Sequence, residues 1–388
     1  MGRTNLWYRS LTSMGVVALI ATSAWSQSLT WLGTLDGYSS SKAFGVADDG
    51  SVVVGIAGGS GGWPLRAFRW TAAGGMQDLG TFGGPTSTAL DISADGKVVV
   101  GGAMNRFNNM YAFRWTESSG FQQIGTLGGN FSEAYGVSLD GSVVVGWSDD
   151  RNGRRHAFRW TASGGMQDLG TLGGASSLAS SVSANGLVVV GWAQNSASQT
   201  RAFRWTEQGG MQDLGTLDNL PEAIAYQASS DGSVVVGWCR TRNFQSRAFR
   251  WTASGGMQDL GWNREACGVT ADGLVVVGRP AFRWKAQDNS IEDLNIVYSS
   301  LLNGSRIEEI NDISADGRYI VGGGYNAQTR RTEAFLLDTY ACVPRNGDAD
   351  GDCTVNDLDL LAVLLAFGQQ NADADMNCDG TVNDVDLL

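Results

Sequence analysis

Two apolar patterns recur along the chain and set its architecture. Ala-Phe-Arg-Trp occurs at 67–70, 112–115, 157–160, 202–205, 248–251 and 281–284, with a reduced seventh copy at Ala334-Phe335. Val-Val-Val-Gly ends at Gly55, Gly101, Gly146, Gly191, Gly237 and Gly278, and Ile320-Val321-Gly322 supplies the seventh. The first three Ala-Phe-Arg-Trp intervals are 45 residues each. In the third unit, alternation over Ala134–Ser138 predicts a strand A, the Val run Ser142–Gly146 a strand B, Ala157–Thr161 a strand C, and Met166–Leu172 a strand D. Asx-Gly stands between A and B in all seven units, at Asp49, Asp95, Asp140, Asn185, Asp231, Asp272 and Asp316. That dipeptide predicts a two-residue type I′ hairpin turn with φ > 0 at both positions. Four-stranded units of about 45 residues have the size of propeller blades.

The repeats begin at a strand D (Leu29–Leu35) and end at a strand C (Ala334–Leu337), so a full set of blades requires those two to pair. The C–D hairpins place Arg69, Arg159, Arg204, Arg250 and Arg283 where they are expected to face Asp78, Asp168, Asp213, Asp259 and Asp293, with Arg114 meeting Gln123. At the two chain ends these positions hold Leu336 and Trp31, so both charges vanish together. The expectation is an all-β, seven-bladed propeller over 27–341, closed between its two ends and monomeric. The A–B and C–D turns are short and repetitive. The B–C and D–A connections share the other rim, and 102–111, 147–156, 192–200 and 238–247 vary and are rich in Arg, Asn, Gln and Ser. Variable loops on a repetitive scaffold are the expected binding face.

His156-Ala157-Phe158 within this spacing resembles the HAF family of extracellular repeats, and the B–C–D pattern is similar to kelch repeats. The resemblance covers 29–337 and implies an exported propeller without a defined activity.

Composition narrows the chemistry. The chain has 54 Gly in 388 residues but only 5 Pro, as tight turns require, and 14 Trp supply core volume. A single histidine, His156, excludes a multi-histidine metal centre. The net charge of −12 argues against nucleic acid or an anionic membrane as partner. Arg3 and Arg9 precede an apolar run from Met14 to Ala21, and Ala24-Trp25-Ser26 reads as a cleavage site, so 1–26 is expected to be a signal peptide. The run is too short to span a membrane comfortably, and a secreted protein is expected.

Most of the negative charge lies in the last 45 residues. Asp348, Asp350, Asp352, Thr354, Asn356 and Asp359 fall at positions 1, 3, 5, 7, 9 and 12 of one loop, with Thr354 offering its carbonyl. Asp375, Asn377, Asp379, Thr381, Asn383 and Asp386 repeat the spacing. Such oxygen spacing suits Ca²⁺, so two sites are expected, the second in a unit that stops at Leu388. These loops, over 345–388, resemble type I dockerin modules, which implies attachment of a 342–388 module to a cohesin-like scaffold protein. Cys353 stands where the sixth loop position normally holds Gly, and Asp357-Leu358 and Asp384-Val385 replace the usual hydroxyl pair. A Cys353–Cys378 bridge and a Cys239–Cys267 bridge between blades are both open.

Trp147, Trp192 and Trp238 follow strand B on three successive blades, where they either form a sugar-stacking arc or pack between blades. His156 shares its repeat position with Arg66, Tyr111, Arg201, Arg247, Pro280 and Glu333, which suits an exposed strand start rather than catalysis. Glu133, Asp149, Asp150, Glu222 and Glu265 are available loop-face carboxylates without a paired spacing. No catalytic residue is therefore assigned. The reading is a secreted, non-catalytic binding or scaffold protein whose propeller face takes a polysaccharide or a protein. The alternative is a polysaccharide hydrolase or lyase delivered by the same tail.

Overall fold

The structure, a computed structural model, describes residues 27–340. The expected signal peptide, both calcium loops, and Cys342, Cys353 and Cys378 lie outside the described residues. Seven four-stranded antiparallel sheets form the propeller, each ordered A-B-C-D from the axis outward. Blade 3 is representative, with strands Gly128–Val137, Val143–Asp150, Arg155–Thr161 and Gly165–Asp168. The seventh blade takes its strand D from the start of the chain: Ser28–Trp31 pairs with Arg331–Asp338, matching Leu29 to Leu337 and Trp31 to Phe335. Ser28 lies opposite Asp338, and the Thr339 N–H donates to the carbonyl of Arg318, beside the last A–B turn. Both ends of the described chain therefore leave at the rim of the short turns.

Apolar pairs between neighbouring blades build the core. The Phe of each Ala-Phe-Arg-Trp copy, and Phe335 in the seventh, is fully buried, and the Val runs of strand B are buried with it. Burying such a ring contributes on the order of 2–3 kcal/mol. Polar latches cross the same interfaces. Ser87, Ser132, Ser177 and Ser41 each accept from the backbone N–H of the preceding blade's motif Ala, at 2.8–3.0 Å. Each of these hydroxyls also donates to a glycine carbonyl two residues past the end of the preceding strand D.

Strand A carries a β-bulge in every blade, directly after the residue paired with the Val-Val-Val-Gly glycine. The bulge presses strand A against strand B. A Cβ on Gly191 would lie 2.0 Å from the carbonyl oxygen of Leu178, and the equivalent positions are as tight. Each bulge turns one extra side chain toward the propeller axis.

Three local expectations are corrected. Only the glycine of each Asx-Gly has a positive φ, so the A–B turns are not type I′. In all seven the glycine N–H closes a wider turn on the carbonyl three residues earlier. In six a hydroxyl at that earlier residue braces it, as where Ser138 Oγ donates to Asp140 Oδ1 at 2.7 Å and accepts from the Val143 N–H, while the first has Ala47 there. Strand D ends at Asp168 rather than Leu172, because the Asp168 carboxylate accepts from the Gly170 N–H and turns the chain. The C–D register is offset by one residue, setting Phe158 opposite Asp168 and Arg159 opposite Gln167.

That offset changes the partners of both charges. The motif arginines reach across to the next blade: Arg114, Arg159, Arg204 and Arg250 donate through Nε to the carbonyls of Gly141, Gly186, Gly232 and Gly273 at 3.0–3.2 Å. The aspartates instead meet the residue just before the motif, in the pairs Arg66–Asp78, His156–Asp168, Arg201–Asp213 and Arg247–Asp259. Blades with Tyr111 or Glu333 at that position have Gln123 or Trp31 opposite. The covariation thus belongs to the neighbouring column in six blades. In the sixth blade along the chain Pro280 precedes the motif, Asp293 accepts from the Asn295 N–H, and Arg283 pairs with Glu292 at 2.7 Å rather than with Asp293. Cys239 and Cys267 are buried free thiols and form no bridge.

Candidate functional site

The seven bulge residues, Phe44, Leu90, Tyr135, Ser180, Tyr226, Cys267 and Asn311, all line one axial cavity of about 390 Å³. It lies toward the variable rim, because strand A runs from that rim to the A–B turns. Leu178, Trp192 and Ile224 widen the apolar wall. The residue after each bulge alternates in size: Gly45, Asp91, Gly136, Ser181, Gln227, Gly268 and Asp312. Each long polar side chain is followed by a glycine on the next blade and bonds to the backbone there. Asp91 accepts from the Val137 N–H at 2.8 Å, Gln227 from Val269, and Asp312 from Val46 at 3.2 Å. Gln227 also donates to Asp312 at 2.9 Å.

Asp91, Ser181, Gln227 and Asp312 also line a smaller cavity, about 120 Å³, on the turn side. They form a waist between the two spaces. Below it the A–B turns join in a belt. The amides of Asp48, Ala94, Leu139, Ala184, Ser230 and Ala271 each donate to the next blade's turn carbonyl at 2.9–3.3 Å. The Ala315 N–H closes the circle on the Asp48 side chain at 3.2 Å. The axis is thus a funnel with a wide mouth and a polar waist.

Burial and the neighbouring Asp312 charge push the Asp91 carboxyl up to about 8 despite its two backbone donors, Val137 and Ile92. Burial raises Asp312 to about 6, against the hydrogen bonds from Gln227 and the backbone. Asp91 therefore holds its proton to higher pH than Asp312 does.

Above the bulges, Lys42 pairs with Glu309 at 2.6 Å, and Arg279 lies 3.9–4.0 Å from Glu309 and Glu265 while donating to Asn311. Glu133 accepts from Thr88 at 2.9 Å and Tyr135 at 3.2 Å, and burial raises its carboxyl.

The sequence-derived candidates divide. Trp192 lines the funnel. Trp147 and Trp238 are buried, under the guanidinium groups of Arg155 and Arg240 at 3.8 and 4.2 Å. Asp150 is taken by its own loop, through Asn152 and Arg154, while Glu222 lies 3.9 Å from Arg240 and Glu265 accepts from Ser246. Partial burial raises the Asp149 carboxyl. His156 Nδ1 lies 2.8 Å from Asp168 and occupies the place arginine fills in other blades. Sequence reasoning missed Asp91, Gln227 and Asp312. Their signal was a polar residue inside an apolar strand at one fixed repeat position.

The variable rim gathers exposed rings. Trp63, Phe107 and Phe244 stand in B–C connections, and Phe131, Trp262 and Tyr325 at strand ends on that side. The remaining exposed ring among the described residues, Tyr340, lies beyond the last strand C in the chain.

No protein-family model matches the chain, and no curated protein matches its sequence. Solved structures do resemble it. TolB from Acinetobacter baumannii aligns over 76% of this chain and 65% of its own, at 11% identity and a TM-score of 0.47. A prolyl endopeptidase aligns over 78% of this chain and 50% of its own, at 10% identity and a TM-score of 0.49. Puromycin hydrolase aligns over 78% and 54%, at 15% identity and a TM-score of 0.48. The chain thus spans less than two thirds of each of these proteins. The protein is a seven-bladed β-propeller of four-stranded blades.

Proposed function

We propose that this is a secreted, non-catalytic binding protein that presents its variable rim to an extracellular polysaccharide, with a calcium-loaded dockerin-like tail attaching it to a cohesin-like scaffold. The gathering of exposed aromatic rings on the variable rim carries this reading. Isolated rings set among Arg, Asn, Gln and Ser offer flat apolar faces beside hydrogen-bonding groups, the combination a pyranose ring requires. In the tail, the repeated oxygen spacing from Asp348 to Asp359 and from Asp375 to Asp386 supports the calcium assignment.

The hydrolase or lyase reading keeps one observation in its favour: two carboxyl groups, Asp91 and Asp312, line the same cavity and titrate apart. A single assay separates the two. The full chain in millimolar Ca²⁺ is mixed with soluble and insoluble polysaccharides, and depletion and new chain ends are followed together. Depletion without new ends, weakened by Trp262→Ala or Phe107→Ala, is expected. New ends abolished by Asp312→Asn would replace the binding reading with the enzymatic one. Absence of both signals would turn the search to a protein ligand.

A further inference from the structure

The funnel is a separate recognition element from the rim, and its chemistry is more restrictive. Its wall is apolar and largely aromatic, through Tyr135, Trp192, Ile224 and Tyr226. Its foot holds two carboxyl groups, Asp91 and Asp312. The one cation on its lining, Arg279, is already engaged by Asn311 and flanked by Glu265 and Glu309. An anionic guest would therefore meet the acids of the waist without a free cation to offset them. A neutral apolar guest would cover Asp312 without replacing any charge. A guest with an apolar body and a positive end satisfies both zones, through ring faces along the wall and ion pairing below.

We propose that the axial funnel is a binding site for an organic ammonium ion, its body against Tyr135, Trp192 and Tyr226 and its charged nitrogen at the waist between Asp91 and Asp312. The glycines beside the waist let neighbouring strands A approach closely enough for the waist side chains to bond across blades. A Cβ on Gly45 would sit 3.2 Å from the Asp91 backbone, and one on Gly136 would sit 3.0 Å from Ser181. The bound cation takes over the role of the proton that Asp91 otherwise holds. The groups lining the two cavities with Asp91 are Asp312, Gln227, Ser181 and Tyr135, with Arg279 above and the carboxyl of Asp48 below. Of these, Asp312 is the charged neighbour that raises Asp91. Binding near neutral pH therefore expels a proton from Asp91, and affinity rises as pH approaches 8. The same chemistry is offered by a free amine, a lysyl side chain or a deacetylated amino sugar.

The test is calorimetric titration of the full chain with phenethylammonium, against phenylethanol and phenylacetate as neutral and anionic counterparts. The expected result is binding of the ammonium alone. It should tighten about tenfold between pH 6.5 and 8.5, and proton release should show in buffers of different ionisation enthalpy. Asp312→Asn is expected to weaken binding about tenfold, and Asp91→Asn to abolish the proton release. Trp192→Ala serves as a second variant if either substitution lowers the melting temperature. Equal binding of phenylethanol or phenylacetate, or no ammonium binding at all, overturns the proposal. Neither result alters polysaccharide depletion by the rim, so the two readings fail separately. Competition by N-acetyl-lysine methyl ester or by glucosamine then identifies the source of the amine.

Discussion

A few residues carry obligations that their repeat position alone explains. Gly191 is one, because a methyl group there would overlap the Leu178 carbonyl at 2.0 Å. Gly191→Ala is expected to cost roughly 3–5 kcal/mol, read as a lower urea midpoint. Gly170→Ala, at φ +74 with open space around it, should cost only about 1–2 kcal/mol. The glycine of Val-Val-Val-Gly was legible as a marker, but its reason was not, since the bulge it faces leaves no trace in an apolar run. The waist acids make a second prediction. Asp91 binds its proton up to about pH 8, whereas in the unfolded chain it releases it near 4. Below pH 4 both states hold the proton and nothing is lost. Between 4 and 8 the unfolded state gives it up first, so stability falls with rising pH and levels off above 8. Asp312 adds a loss of the same sign that ends near 6. Melting temperature measured against pH should therefore still decline between 6 and 8 in the native protein, and flatten there in Asp91→Asn.

Pairs of elements show where the reading of hairpins succeeded and where it slipped. Strand pairing has period two, so a one-residue error of register exchanges the faces of every side chain. Arg159 and Asp168 were expected to meet, but strand D begins one residue earlier than its apolar pattern suggests. Asp168 consequently falls to His156, and Arg159 to the Gly186 carbonyl of the next blade. The columns covary in blocks of neighbouring positions, and a single sequence does not separate them. Opposite outcomes follow for adjacent substitutions. His156→Arg restores what blades 1, 4 and 5 already have and should leave unfolding within about 0.5 kcal/mol of the native value. Arg159→Met removes a bond between blades and should cost about 1–2 kcal/mol in the same denaturation. The A–B turns teach a related lesson. Asx-Gly located all seven, while their shape is set by the glycine N–H closing on the carbonyl three residues earlier, in six of them with a serine or threonine hydroxyl bracing that residue.

At the scale of the whole molecule, the ring and its seam were legible by counting. Seven copies of each motif left one strand D unpaired at the start and one strand C unpaired at the end. The seam strand also contributes to the core, since Leu29 and Trp31 pack against the cluster containing Phe335 and Leu337. Deleting Ser28–Trp31 should lower the melting temperature by roughly 5–10 °C and open Arg331–Asp338 to hydrogen exchange, measured by mass spectrometry. The funnel was not legible, because its lining comes one residue at a time from seven distant segments.

Where the described chain begins and ends has a practical meaning. Gln27 and Thr339 meet at the rim of the short turns, bonded to each other at 3.3 Å. Hence a leash attached at Gln27 or at Thr339 grips the propeller on the side opposite the funnel mouth. Copies immobilised in this manner would form a layer of common orientation, with every aromatic rim displayed outward.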